Sequence, residues 1–202
     1  MEEEGNHMTK EGYEILKRMD ITAAENQMAL HCAPFIMGLK PSNLLMLQSS
    51  QTDDAQKLLR QAGTDCFLLY KGAVKSALLL YHGSWLKDYL NESDVRKILV
   101  QLGYRGLSFP DMLAVFAGRY QACMNGFREF PHEMGLFLGY PPKDVTGFIE
   151  NRGENCIFAG YWKVYDRPLE KRRLFQKFDQ AKEALLRLIA EVTLFPFFVK
   201  KY

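Results

Sequence analysis

The sequence predicts an α+β fold, a small and mostly antiparallel sheet of about four strands packed by several helices, including a long C-terminal one. Three observations lead there. From Pro168 to about Val192, Leu174, Phe178, Ala181, Leu185, Leu188 and Val192 keep a three-or-four spacing, one continuous helical stripe to bury against a sheet. "CFLLYKGAVKSALLLY" reads as a hairpin, with strands Cys66 to Tyr70 and Val74 to Tyr81 about a turn at Lys71-Gly72. "CIFAGYWKVY", rich in β-branched and aromatic residues, reads as a further strand.

In chain order, residues 1–9 are expected to be disordered, residues 10–20 form a short helix, and the single domain runs from 10 to 202. Thr22-Ala23-Ala24-Glu25 is a capping box, in which hydroxyl and carboxylate each satisfy a free backbone N–H, so a helix runs from about Ala23 to Cys32. Pro34 is expected to stop it, because the residue before a proline is pushed out of the α region. "PSNLLMLQ" gives a short apolar strand near 43–48. Asp53 and Asp54 favour a helix N-terminus, Ala55, Leu58, Leu59 and Ala62 line one face of that helix, and Gly63 closes it. For residues 74–81 a helix ending at Gly83 competes with the second hairpin strand, and periodicity does not separate the two.

Further helices are predicted over 84–90 and 93–102, the second with Val95, Ile98, Leu99 and Leu102 on one face. Ser108-Phe109-Pro110-Asp111 has cap, early proline and early acid in order and starts a helix to about Cys123. Helices over 131–138 and 142–150 are each punctuated by a glycine, Gly139 and Gly153. No internal repeat or low-complexity linker is visible.

Composition excludes more than it assigns. The chain has 202 residues, 48% of them hydrophobic and 25% charged, with a net charge of +2, the profile of one globular domain. The densest basic run, Lys171-Arg172-Arg173, shares its helix with Glu170 and reads as a solvated face, so no nucleic-acid partner is expected. The first residues, "MEEEGNHM", are acidic where a secretory signal would be basic, and the longest apolar run, "LFPFFV", is far short of the roughly 20 residues of a membrane helix. Cys32, Cys66, Cys123 and Cys156 are widely spaced, without C-x-x-C or zinc-ligand spacing. These features predict a cytoplasmic protein with reduced thiols, no metal ligands and no membrane partner. No phosphate-binding, dinucleotide, nucleophile-elbow or EF-hand signature is present.

Three segments could carry chemistry. His132-Glu133 in "FPHEMGLFLGY" is not a zincin helix, because the residue four beyond His132 is Leu136. It is either a polar first turn on an apolar helix or a ligand site at that helix's N-terminus, with neutral His132 as a contact. His31-Cys32 in "LHCAPFIMGLK" suggests a thiol nucleophile, yet adjacent residues do not share a helix face, and the partial negative charge at a helix C-terminus raises a thiol pKa. Cys32 is therefore a buried inert thiol, a ligand contact or a nucleophile; Lys40 or His132 could shift that balance. In "GYWKVYD", alternation would put Tyr161, Lys163 and Tyr165 on one strand face and Trp162 and Val164 on the other, either a half-buried sheet surface or a platform for a planar ligand.

Together "HCAPFIMGLKPSNL", "FPHEMGLFLGYPPKDVTGFIENRG" and "GYWKVY" resemble a bacterial family known as domain of unknown function 3793, typical of anaerobic Firmicutes. The resemblance runs from about Met28 to Tyr165, with the C-terminal helix as its continuation. It rests on His31, Cys32, Pro34, Lys40, His132, Glu133, Gly139, Tyr140, Tyr161 and Trp162, and it implies no activity, cofactor or catalytic residue. Three functions stay open. One is a binding module for a small anionic or redox- or metal-related ligand, with its pocket formed by the HCAP, HEMG and YWK segments; the second is a thiol-dependent enzyme using Cys32. The third is an interaction domain presenting the tail "TLFPFFVKKY" to a partner or to another copy of itself.

Overall fold

The computed structural model describes residues 9–20 and 23–199, without the side chains of residues 24, 25 and 192–199. The N-terminal segment expected to be disordered, the capping box and the apolar tail's side chains fall, wholly or in their deciding parts, outside the described residues. The sheet has three strands, β1 (Ser42–Gln48), β2 (Asp65–Lys71) and β3 (Lys75–Tyr81), in the order β1-β3-β2 and antiparallel throughout. Residues 75–81 are thus a strand, and the competing helix is excluded.

β3 is the middle strand, and Ala77 through Leu80 are fully buried because both of its faces are covered. Leu78 and Leu80 point with Leu45 and Leu47 towards α2 (Ala24–Ile36) and α3 (Thr52–Gln61). Ala77 and Leu79 point the other way. They meet a larger cluster built from α4 (Gly83–Asn91), α5 (Ser93–Gln101), α6 (Phe109–Met124), α7 (Met134–Phe137) and α8 (Pro142–Glu150). Period-2 alternation on a strand buried on both faces explains why its sequence reads as an unbroken apolar run. α1 (Lys10–Arg18) is capped by the Thr9 hydroxyl, which accepts from the Gly12 N–H, and it packs with α2 on α9 (Pro168–Val199), which borders a third apolar cluster. No helix among the described residues is long and apolar enough to cross a membrane.

Three expectations are corrected. Pro34 lies inside α2 instead of stopping it: a proline in the last turn forfeits a single backbone hydrogen bond, and Pro34 is buried. Gly38 ends the helix, at φ 68°, with the Leu39 N–H closing back on the Pro34 carbonyl at 2.8 Å. The strand expected across 156–165 is only a two-rung ladder, β4 (Phe158–Ala159) with β5 (Lys163–Val164). Gly160 breaks it, where a side chain would run into the Phe175 ring. The helix expected over 131–138 shrinks to the single turn of α7, after non-helical turns at His132 and Glu133.

α7 ends at Gly139, at φ 73°, where a methyl group would fall 2.5 Å from Pro41 Cγ. This backbone-to-ring contact joins the end of α7 to the start of β1. Gly38 has the same handedness and open space around it. Gly38→Ala should therefore cost only the left-handed penalty of about 1 kcal/mol, and Gly139→Ala at least about 2 kcal/mol, since Pro41 must also move. Chemical denaturation of the two variants measures the difference, and equal losses would contradict the close approach.

Candidate functional site

The Gly139–Pro41 contact sets Lys40 and Tyr140 side by side, with the Lys40 ammonium 5.4 Å from the centre of the Tyr140 ring. The same ring stacks on Trp162, centroid to centroid 4.6 Å at 25°. The indole is fixed in turn by a hydrogen bond from its Nε1–H to Asp144 Oδ2 at 2.9 Å. Asp144 is 2% exposed, and its Oδ1 accepts the N–H groups of Tyr165 and Asp166 at 2.9 and 3.0 Å, with the Lys171 ammonium 3.8 Å away. A buried carboxylate so fully satisfied holds α8, the short hairpin and α9 in one arrangement.

Two cavities flank this aromatic stack. The first, about 300 Å³, is almost wholly apolar: Phe130, Val145, Phe148, Leu138 and Trp162 line it, and Asp144, His132, Tyr161 and Lys163 contribute the polar groups. The second, about 330 Å³, is more polar and is lined by Lys40, His31, Asn43 and Gln27. Leu44, Leu138, Tyr140 and Tyr161 belong to the walls of both.

The three sequence segments thus meet around Tyr140 and Tyr161, though each dipeptide contributes only one residue. His132 reaches the first cavity and His31 the second. Glu133 turns into the core, where it is 3% exposed, accepts from Tyr104 Oη at 2.9 Å and pairs with Arg119 at 2.7 Å. Cys32 opens into neither cavity. Its sulfur is fully buried and accepts a hydrogen bond from Asn43 Nδ2 at 3.2 Å. Alternation along 161–165 does not hold either, because Tyr161, Trp162 and Lys163 all line the first cavity around the turn at Gly160.

Electrostatics separates the candidates further. Burial pushes the Cys32 thiol up to about 12, against smaller opposing effects of Asn43 and Lys40, so it stays protonated at neutral pH. Burial pushes the Lys40 ammonium down to about 8, against a smaller opposing effect of Cys32. Among the described residues Lys40 has no ion pair. Partial burial and then the Lys182 ammonium hold His31 below its ordinary value, which leaves the imidazole mostly neutral at pH 7. Lys163 is occupied, donating to the Gly153 carbonyl at 2.6 Å. The Tyr161 hydroxyl donates to Asp179 at 2.8 Å.

Asp144 and Phe148 lie four apart on a predicted helix and so share a face, a pairing that could have marked them; Val145, adjacent to Asp144, has no such signal. Phe130, Asn43 and Gln27 carried no such signal. No group of three His, Cys, Asp or Glu among the described residues is arranged to hold a metal ion; a planar organic group would find its surfaces on Tyr140, Trp162 and Phe148.

Fold and site together define an α+β protein with an apolar and a cationic cavity side by side at one end of a three-stranded sheet. The chain belongs to the family described as protein of unknown function (DUF3793), whose model matches residues 28–195. No curated protein and no solved structure matches it.

Two outcomes follow from these environments. Iodoacetamide at pH 8 should modify Cys66, Cys123 and Cys156 in the native protein and spare Cys32 until denaturant is added; peptide mapping reads this, and early labelling of Cys32 would refute its burial. Lys40 is charged in the unfolded chain up to its ordinary value near 10.4 but in the folded chain only up to about 8. Its cost is therefore full below pH 8 and fades as pH rises between these values. Lys40→Met should be more stable than the parent by about 1–3 kcal/mol at pH 7, with the gap closing towards pH 10; denaturation curves across that range measure it.

Proposed function

We propose that this protein is a binding module for a small amphipathic molecule with a flat apolar body and an anionic end. One observation carries the reading: the apolar cavity beside Trp162 and the cavity holding an unpaired Lys40 share Tyr140 and Tyr161 as walls. A cation without a carboxylate partner at the edge of an apolar slot has unspent attraction for an anion, and the low-dielectric surroundings strengthen it. His31 and Lys182 add donors and positive potential on the same side. The flat body would lie against the Tyr140 and Trp162 faces.

The thiol-enzyme reading is the weaker one, since the Cys32 sulfur is sealed and protonated. Four free cysteines and a small net charge support a bacterial cytoplasmic protein without a nucleic-acid partner. Binding of 8-anilino-1-naphthalenesulfonate tests the reading, because the probe joins a fused aromatic body to a sulfonate. The native chain should bind it at a single site. Lys40→Met should weaken it at least about fivefold and Lys40→Arg much less, in line with the roughly 1–3 kcal/mol of a charge-assisted hydrogen bond. Circular dichroism confirms that each variant is folded, and affinity indifferent to both substitutions would sink the proposal.

A further inference from the structure

We propose that Lys40 is a covalent capture residue, whose amine condenses with the carbonyl carbon of an aldehyde or ketone seated against the Tyr140–Trp162 stack to form a reversible imine. The inference rests on the pocket and the flat-bodied ligand of the binding reading, and it places a carbonyl group where that reading places the anionic end. Its first support is geometric. Of the nucleophilic side chains near the two cavities, Cys32 is sealed beneath the surface and Lys163 is tied to the Gly153 carbonyl. Lys40 lines the second cavity, lies against the Tyr140 ring and has no ion pair among the described residues. A carboxylate partner would hold the ammonium in its charged, unreactive form; none pairs with Lys40 among the described residues.

The groups around Lys40 agree. α2 presents His31, Cys32 and Gln27, β1 presents Asn43, and Tyr140 and Tyr161 close the cavity from the segments after α7 and β4. On α9, Lys182 acts on His31, and Asp179 is engaged by the Tyr161 hydroxyl. None of these places a negative charge on the amine at neutral pH, and burial favours its uncharged form. With its value near 8, Lys40 holds roughly a hundredfold more free amine at pH 7.5 than an exposed lysine does.

The step balances without a redox partner. The Nζ lone pair forms a C–N bond to the carbonyl carbon, and the π electrons move to oxygen. That oxygen takes a proton as nitrogen loses one, giving a carbinolamine. Loss of the hydroxyl with a second proton as water leaves C=N, so amine plus carbonyl gives imine plus water. Mostly neutral His31, in the same cavity, is the group suited to shuttle those protons.

Reductive trapping tests this on the full-length protein, with 2-naphthaldehyde as the probe and sodium cyanoborohydride as the trap. Peptide mapping compares Lys40 with exposed Lys57 in the same wild-type sample, so no variant has to fold. The expected result is labelling of Lys40 at least tenfold faster than Lys57, with a rate that levels off just above pH 8. Lys40→Arg should remove that adduct and leave the others unchanged. Labelling of Lys40 no faster than of Lys57, or a Lys40 rate still climbing past pH 10, overturns the inference. Naphthalenesulfonate binding measured in parallel separates the failures: retained binding without trapping removes the imine alone, whereas loss of both removes the pocket as well.

Discussion

The Asp144 carboxylate is the interaction on which the candidate site depends. It enters the structure in the first turn of α8, where the free N–H groups of a helix start favour an acid, and it is almost fully buried there. Desolvating a carboxylate is costly, and the structure offsets that cost with three N–H donors and one ammonium. Two donors come from the backbone just after β5, one from Trp162 and the ammonium from α9. A single buried charge therefore gathers three parts of the chain that share little regular secondary structure. Trp162 is fixed by it, Tyr140 stacks on Trp162, and Lys40 lies over Tyr140.

A second buried ion pair works differently. Glu133 and Arg119, with the Tyr104 hydroxyl, join the turn before α7 to the middle of α6, and the guanidinium also stacks on the Tyr104 ring at 4.8 Å. This network lies on the core side of the turn while His132, one residue earlier, faces the first cavity. Neighbouring residues of a non-helical turn point in different directions. One dipeptide can therefore anchor a segment with one side chain and present the other to a ligand.

Much of the fold was legible because it follows local rules. The Ser108 cap, the glycine after α3, the hairpin and the long C-terminal helix each depend on residues within a few positions of one another, whereas the stripe read along that helix is not one buried face: Leu188 is 52% exposed, and the helix packs on α1 and α2. The misreadings came where a tertiary contact overrode a local preference. Pro34 sits in a helix because the last turn loses only one hydrogen bond there, and at Gly160 the Phe175 ring lies where a side chain would have to go. Site residues divided in the same way. His31, Lys40, His132, Tyr140, Tyr161, Trp162 and Lys163 were visible as unusual groups on apolar segments, and all line one of the cavities. The inward turn of Glu133 and the sealing of Cys32 depend on Arg119 and Asn43, partners 14 and 11 positions away, which no local pattern announces.

The clamped indole also has an optical consequence. The chain has two tryptophans: Trp162 lines the first cavity, and Trp85, 40% exposed on α4, stacks loosely on His82 at 6.1 Å. Global unfolding alters the surroundings of both fluorophores, whereas a guest placed in the first cavity would perturb the emission of Trp162. Trp162 emission would thus report occupancy of that cavity without an attached dye.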